Sequence, residues 1–302
     1  FMYDTSSPHV LCAMVEKITG QKMLAYLKDK LLRQIGFSEE SYIIEDPFGT
    51  SMAGSGLMAT PRDLFLTGCM LLKHRTDPYI TRATNAQTAT LLDGENRWYG
   101  YQFWIPMEGM FAMMGLGSQL MIAVPAMDLV VVITADTQGM GGADQLILTA
   151  VREKLLLDTF TEETLDRKEL PVLKPVYVGI HDDVSGRKYA LRLNHYGFGW
   201  CSVTFDEEEK TGILSYELKG KVCQLPFGIG HFEEGSFPVY KESCVASAAW
   251  MDPHTLYILC WLTGESVASI RFRISFAKNE LTVHMMKTEE TKYNEYTGFL
   301  NS

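Results

Sequence analysis

The hydrophobic period of the chain changes near its middle. In the first half, apolar residues recur at helical spacing, as in residues 10–18, and helices alternate with loops before a strand-rich end. In the second half, only short segments with a period of two occur, such as residues 269–276, and turn residues separate them. These two patterns predict a mixed α+β domain followed by an antiparallel β-barrel or sandwich.

Charge and proline mark the boundary between the two patterns. Residues 161–169 are rich in charged side chains, and Pro171 and Pro175 follow them. A segment of this kind is typical of a linker. We therefore expect a first domain at residues 1–160, a linker at 161–175 and a β domain at 176–302, and both domains have an ordinary size.

The net charge of the chain excludes some classes of partner. The 27 Lys and Arg against 37 Asp and Glu give a net charge of −10, and no stretch combines dense basic residues with aromatic ones. Nucleic acid and anionic membrane surfaces are therefore poor partners. The longest apolar stretch, residues 120–135, is interrupted by Pro125 and Asp128 and is too short to span a membrane as a helix.

The six cysteines are scattered, without a Cys-x-x-Cys pair or a Cys/His cluster at zinc-ligand spacing. Most of them have apolar neighbours, which favours reduced, buried thiols over disulfides or a metal site. We therefore expect no metal and no other cofactor. A reducing, cytoplasmic location is expected for the same reason, although a chain without its true N-terminus cannot show a signal peptide.

Capping residues predict several helix ends. Ser7 as the cap and Pro8 as the first helical residue predict a helix that stops at Gly20, and a second helix is expected to end near Gly36. Another helix is predicted at residues 143–157, where apolar residues again recur at helical spacing.

Between Gly36 and residue 143, Thr60 is a predicted N-cap, with Pro61 as the first helical residue and the Asp63 carboxylate near the positive end of the helix. The alternating aromatic residues at 98–104 predict a strand, and residues 110–134 predict a strand, a turn and a second strand in a central antiparallel sheet.

Three separated segments resemble one known family. They are Tyr3-Asp4-Thr5 with the helix that follows, residues 54–64 with the sequence Gly-Ser-Gly-Leu-Met-Ala-Thr-Pro-Arg-Asp-Leu, and residues 113–119 with the sequence Met-Met-Gly-Leu-Gly-Ser-Gln. Over residues 1 to about 157 the chain resembles the serine β-lactamases and penicillin-binding-protein-like hydrolases. The resemblance implies an α+β, β-lactamase/transpeptidase-like fold that lacks its N-terminal part.

The resemblance also implies roles for four residues. Tyr3 takes the position of the tyrosine that relays a proton to and from the substrate. Thr5 stands where the family more often has Asn or Ser, and it is a candidate for substrate contact. Leu116 and Gly117 lie where the family supplies one backbone N–H of the oxyanion hole. Each residue also has a structural interpretation, namely packing or capping for Tyr3 and close strand approach for the glycine-rich segment.

Two departures from the family bear on the substrate. Ser118 replaces the second glycine of the family's glycine pair, and no Lys or His occurs between Met107 and Gln119. The missing cation usually engages the carboxylate of β-lactam and peptide substrates in this family. Its absence counts against true penicillin processing.

The family's nucleophile motif, Ser-x-x-Lys, has no convincing match. The serine of that motif opens a helix, and the lysine one turn later accepts its proton. Only Ser185 with Lys188 and Ser275 with Lys278 match formally, and both pairs fall in the predicted β domain, at a turn and at the end of a strand. We therefore expect the nucleophile to lie upstream of this chain, which would be inactive alone.

Two functions follow from these observations. The first is part of a serine hydrolase that acts on an amide or ester, such as a peptide, a β-lactam or a small ester, through an acyl-enzyme. The second is a non-catalytic protein whose β domain binds an apolar ligand or a partner. Aromatic residues available for that role, which more often fill a barrel's own core, are Tyr177, Tyr189, Trp200, Trp250 and Trp261.

Overall fold

The structure is a computed structural model that describes residues 1–90, 98–137, 140, 142–156, 172–178, 183–194, 196–206, 208, 210–266, 268–287 and 294–300. The chain divides into two compact units, Phe1–Thr161 and Glu162–Ser302. Most of the predicted linker at 161–175 lies outside the described residues. The first unit mixes helices and two sheets, and the second consists of one large antiparallel sheet.

The helices of the first unit are α1 (Ser6–Thr19), α2 (Met23–Lys30), α3 (Pro61–Lys73), α4 (Pro78–Ala83) and α5 (Ala143–Leu156). Its strands are β1 (Tyr42–Ile43), β2 (Leu57–Met58), β3 (Thr88–Ala89), β4 (Trp98–Tyr99), β5 (Trp104–Ile105), β6 (Phe111–Gly115), β7 (Gln119–Val124) and β8 (Leu129–Ile133). Strands β1 and β2 form a separate pair, and the other six form an antiparallel sheet in chain order from β3 to β8.

Helix α1 ends as predicted but begins differently. Gly20 adopts a φ of +68° and donates its N–H to the Glu16 carbonyl at 2.8 Å, which is the expected glycine stop. The first turn is held by Asp4 rather than by Ser7, because the Asp4 carboxylate accepts the Ser6 N–H and the Ser7 hydroxyl, each at 3.0 Å. An aspartate two residues before a free N–H can accept such a bond from outside the helix.

The apolar side of α1 is exposed. Val10, Leu11, Met14 and Ile18 have exposed fractions of 55%, 51%, 53% and 81%, and Cys12 is the buried residue of the helix. The helical spacing of these residues was predicted correctly, but helical spacing alone does not determine whether the apolar side of a helix is buried.

The start of α3 matches its prediction, whereas the end of α2 does not. Thr60 and Asp63 form a reciprocal capping box at the start of α3, with Pro61 at its first position, as predicted. Helix α2 ends at Lys30, earlier than predicted, and one 3-10 turn (Leu32–Ile35) carries the chain to Gly36, whose φ is +80°.

The aromatic segment at 98–104 is a tight hairpin and not one strand. β4 and β5 pair through Trp98 with Ile105 and Tyr99 with Trp104, and the Gly100 N–H donates to the Phe103 carbonyl at 2.8 Å. A Cβ on Gly100 would lie 2.0 Å from the Ala83 carbonyl oxygen, so this turn requires glycine.

Residues 110–124 also form two strands where one was predicted. β6 and β7 are joined by a three-residue turn, because Gly115 pairs with Gln119. The predicted hairpin of β7 and β8 is confirmed, with Val124 paired to Leu129 and a 3-10 turn (Pro125–Met127) between them. β8 is an edge strand of this six-stranded sheet as described.

The sheet carries a helix on each face. Leu120 and Ile122 of β7 belong to the same buried cluster as Leu148 of α5, and Met121 belongs to a second cluster with Leu72 of α3. Since successive strand residues point to opposite faces, a strand covered on both sides is apolar at every position. Ala143 and Leu148 of α5 are buried, whereas Leu146, one of the apolar residues at helical spacing, is 69% exposed.

The strands of the second unit are β9 (Lys188–Leu191), β10 (Phe198–Phe205), β11 (Thr211–Leu218), β12 (Lys221–Ile229), β13 (Glu233–Phe237), β14 (Glu242–Asp252), β15 (Thr255–Leu262), β16 (Ser269–Ala277), β17 (Glu280–Lys287) and β18 (Asn294–Leu300). β18 returns to pair with β9, and a short parallel contact joins β12, at one end of the ladder, to β14, which is next to the strand at the other end. The sheet is therefore a nearly closed barrel, which decides between the two predicted architectures.

The barrel interior follows the predicted alternation. In β16, Ile270, Phe272, Ile274 and Phe276 are between 0% and 4% exposed and belong to one buried cluster. Among the described residues, no helix is long and apolar enough to cross a membrane.

Candidate functional site

Tyr3 lies in a cluster of aromatic rings on the six-stranded sheet. Its ring centroid is 5.1 Å from that of Trp104 and 6.2 Å from that of Tyr99, and Phe1 contacts the same two rings. Tyr3 is 52% exposed, and its hydroxyl donates no hydrogen bond to any residue that the structure describes. The ring is therefore held by packing, while the hydroxyl is available to a ligand.

Tyr99 is the inner phenol of this cluster. Burial, assisted by the neighbouring Tyr3 phenol, raises the pKa of Tyr99 to about 12. Tyr99 therefore remains neutral at physiological pH. A neutral phenol can donate a hydrogen bond but cannot serve as a base there.

Thr5 is placed by its contact with Gly54. A Cβ on Gly54 would lie 2.6 Å from the Thr5 carbonyl oxygen and 2.9 Å from its methyl carbon, so the two backbones approach as closely as glycine allows. Thr5 is exposed and occupies the N-cap position of α1 without a side-chain capping bond. Within the described residues, the Thr5 hydroxyl therefore does not cap the helix.

Leu116 and Gly117 lie in the turn between β6 and β7. Leu116 is 72% exposed, and within the described ranges its N–H donates no hydrogen bond. Gly117 has a φ of +73° and its carbonyl accepts the Thr137 N–H at 3.3 Å. A backbone donor at Leu116 is therefore accessible, as an oxyanion-hole donor must be.

Residues after β8 hold this turn in place. The Ser118 and Thr137 hydroxyls are 2.6 Å apart, and the Gln119 side-chain amide donates to the Ala135 carbonyl. Such bonds fix the turn before any ligand binds, which is the arrangement that makes an electrostatic site effective. The support from Thr137 and Ala135 was not predicted from sequence, because no local pattern links the two segments.

Tyr3 and the turn are connected through adjacent strands. Trp104, which packs on Tyr3, pairs with Ala112 of β6, and β6 continues for three more residues to Gly115 at the turn. At about 3.4 Å per residue, the turn begins roughly 10 Å along the strand from the level of Trp104. The first motif segment thus packs on β5 through Tyr3, and the third lies at the end of the adjacent strand β6. The Tyr99 and Trp104 rings, which belong to the aromatic segment at 98–104, line this region.

The two formal Ser-x-x-Lys matches have structural roles in the barrel. The Ser185 hydroxyl oxygen accepts the Phe205 N–H at 3.0 Å, and the Ser275 hydroxyl lies 3.3 Å from the Thr255 hydroxyl. In the described part of the chain, neither hydroxyl contacts a lysine amine. Neither serine begins a helix, so the geometry of the family motif does not arise at either place.

Metal chemistry has no candidate centre in the residues that the structure describes. No group of three or more His, Cys, Asp or Glu side chains there has a geometry that could hold a metal ion. The six cysteines are free thiols, and Cys12, Cys201, Cys244 and Cys260 are buried.

No protein-family model matches the chain, and no curated protein matches it in sequence. Among solved structures, a Bacillus anthracis protein described as a 6-aminohexanoate-dimer hydrolase is 24% identical to this chain. The match covers 52% of this chain and 43% of that protein, with a TM-score of 0.43. A fatty-acid-binding protein from the brain of Drosophila melanogaster is 14% identical, with 39% of this chain and 99% of that one covered and a TM-score of 0.31. Lipid binding protein 8 of Caenorhabditis elegans is 11% identical, with 40% and 100% covered and a TM-score of 0.33.

Proposed function

We propose that the first unit is part of a β-lactamase-like serine hydrolase that acts on an amide or ester through an acyl-enzyme. The observation that carries this proposal is that Tyr3 packs on Trp104 of β5, while the turn at residues 116–118 follows β6, the strand that pairs with β5. Both segments belong to the motifs through which the chain resembles that family.

Each candidate residue has a role in this proposal that its surroundings permit. The Tyr3 hydroxyl relays the proton between the nucleophile and the leaving group, since it is exposed and free of other bonds to described residues. The Leu116 N–H donates to the oxyanion that forms on the substrate carbonyl. The Thr5 hydroxyl contacts the substrate, and the neutral Tyr99 phenol supports the Tyr3 ring.

The lack of a basic residue near the turn bears on the class of substrate. The strand and turn from residue 111 to residue 119 carry no Lys or His, so no cation is available there for a substrate carboxylate. A neutral ester or amide suits such a site better than a penicillin.

The nucleophile must come from elsewhere in this proposal. In the family, the Ser-x-x-Lys helix precedes the relay tyrosine, so the gene should encode a helix-opening Ser-x-x-Lys upstream of Phe1. Reading the genomic sequence upstream tests this directly. A start codon next to Phe1 would remove the basis for the hydrolase and would favour a binding protein.

Kinetics on the longer gene product then test the relay. Tyr3→Phe removes the hydroxyl and keeps the ring on Trp104, so turnover of a chromogenic ester should fall on the order of 10²- to 10⁴-fold with little change in melting temperature. Tyr79→Phe is the matched control, because Tyr79 is also an exposed tyrosine that packs on another aromatic ring, Tyr101. Near wild-type turnover of Tyr3→Phe would mean that the active site has been misplaced, and a large loss of stability would make Tyr3 a core residue.

The barrel interior does not favour the alternative of an enclosed apolar ligand. The cavity between residues such as Leu214, Tyr216 and Phe272 has a volume of about 20 Å³, which is room for about one water molecule. Tyr189 and Trp250 fill the core, and the Trp200 ring lies under the Lys188 amine at 3.8 Å. Around this cavity, the core residues that the structure describes pack closely and leave little space.

A further inference from the structure

A pocket of about 340 Å³ opens at one end of the barrel. It lies where the turn between β14 and β15, the turn between β16 and β17 and the segment before β9 come together. Small-molecule sites usually occupy roughly 300–1,000 Å³, so this pocket is large enough for a small ligand. It is separate from the interior cavity, with which it shares no lining residue.

The floor of the pocket is apolar and rigid. Val184 and Phe276 line it and are 3% and 4% exposed, and the Phe276 ring packs against the rings of Tyr189 and Trp250 at 6.0 Å and 6.1 Å. A hydrocarbon placed on this floor would leave water for contact with side chains that are already ordered.

The rim of the pocket is basic in a chain whose net charge is −10. Arg187, Lys278 and His254 line it, together with one carboxylate, Asp183, whose Oδ2 is 3.6 Å from an Arg187 guanidinium nitrogen. Lys278 has no ion-pair partner among the residues that the structure describes. Apart from His254, the lining carries two positive charges and one negative charge, so a single anionic group would balance it.

The three segments that carry the rim are held by hydrogen bonds. The His254 carbonyl accepts the Phe276 N–H at 2.8 Å, which joins the two hairpin turns. The Asp252 carboxylate accepts the His254 N–H at 2.8 Å, so this carboxylate is engaged by its own turn. The Gly186 N–H donates to the Val203 carbonyl at 2.9 Å and anchors the segment before β9.

We propose that this pocket binds a small amphiphilic carboxylate, with its hydrocarbon part on Val184 and Phe276 and its carboxylate between Lys278 and Arg187. One uncompensated positive charge suits a monoanion rather than a phosphate dianion, and the apolar floor suits a ligand with a hydrocarbon part. Both cations can give charge-assisted hydrogen bonds to a carboxylate. The inference uses only the second unit and does not depend on the proposed hydrolase.

Calorimetric titration of the whole chain with octanoate tests the proposal. Octanoate should bind, and 1-octanol, which has the same chain length without the charge, should bind at least about tenfold more weakly. Lys278→Glu should weaken octanoate binding by at least about tenfold, and Ala277→Phe, which fills the pocket without changing its charge, should do the same.

The matched control is Lys219→Glu. Lys219 occupies the turn between β11 and β12 with a φ of +49°, close to the +50° of Lys278, and it does not line the pocket. This variant should change octanoate affinity by less than about twofold. Lack of octanoate binding up to about 10 mM, equal binding of octanol, unchanged affinity of the correctly folded Lys278→Glu protein, or an equal loss in Lys219→Glu would each overturn the proposal.

Discussion

The Ser118 hydroxyl lies 2.6 Å from the Thr137 hydroxyl, and this contact ties the turn between β6 and β7 to the segment that follows β8. Ser118 is 3% exposed and has a φ of +67°, in the left-handed region that favours glycine. An unfavourable backbone conformation at this position is thus accompanied by a partly buried hydrogen bond that glycine could not make.

Two substitutions of Ser118 separate these effects. Ser118→Ala keeps the Cβ at positive φ and removes the bond to Thr137, so the free energy of unfolding should fall by about 1–2 kcal/mol. Ser118→Gly loses the same bond but relieves the backbone, so its loss should be smaller by about 1 kcal/mol. Urea unfolding of both variants measures the difference. A glycine variant less stable than the alanine variant would show that the positive φ of Ser118 does not strain the backbone.

Asp63 should make stability depend on acid pH. Its carboxylate accepts the Ser38 N–H at 2.7 Å and the Thr60 N–H at 2.9 Å. Burial opposes the charged form, but the bonds from Ser38 and Thr60 outweigh it and hold the pKa of Asp63 below its ordinary value of 3.8. A lowered folded-state pKa gives a stabilisation that is fully present above the unfolded-state pKa and is lost as the pH falls through the folded-state pKa.

Asp63→Asn tests this dependence. The variant should lose about 1–3 kcal/mol of unfolding free energy at pH 7, and its deficit relative to wild type should shrink as the pH falls below about 4. Urea unfolding at pH 7, 5 and 3 measures the deficit, with the exposed Glu234→Gln as the control. A deficit that stays constant over this range would mean that the charge of Asp63 is not what stabilises the cap.

Ser247 offers a stabilising substitution in the barrel. It is fully buried in β14, and its hydroxyl has no hydrogen-bond partner among the described residues. Ser247→Ala should therefore raise the free energy of unfolding by about 0.5–1 kcal/mol. Ser41→Ala is the contrasting variant, because the buried Ser41 hydroxyl donates to the Ser38 carbonyl at 2.6 Å and its removal should be destabilising. Thermal melts that order the two variants the other way would refute this explanation.

The exposed apolar face of α1 should promote self-association. Val10, Leu11, Met14 and Ile18 present a contiguous apolar stripe, and such patches associate or bind partners. The double variant Met14→Lys, Ile18→Lys should reduce the concentration-dependent mass measured by light scattering. Val222→Lys, at a 62% exposed position in the barrel, is the control. A wild-type chain that is a monodisperse monomer with a single cooperative melt would contradict the prediction.

The chain alone should not form an acyl-enzyme. Ser185 and Ser275, the serines of the two formal motif matches, are hydrogen-bonded within the barrel to the Phe205 N–H and the Thr255 hydroxyl. Intact-mass measurement after incubation with a fluorescent penicillin or an activated ester should show no covalent adduct. An adduct at either serine would overturn the assignment of both residues and the proposed hydrolase with it.

Local features of the sequence predicted local structure. The glycine stop at Gly20, the capping box of Thr60 and Asp63, the hairpin of β7 and β8 and the alternation in β16 were all recognised from neighbouring residues. Each depends on backbone preferences or on a hydrophobic period within about ten residues, and such preferences act in the same way whatever the rest of the chain does.

Tertiary packing decided the features that join distant residues. It placed Tyr3 on Trp104, bonded Ser118 to Thr137, selected a barrel over a sandwich and brought Lys278 to the same pocket as Arg187. These arrangements depend on which strands pair and on which faces are covered, and no local propensity contains that information. The sequence alone therefore determined the kinds of element and several of their ends, whereas the candidate site arose only when long-range strand pairing brought its residues together.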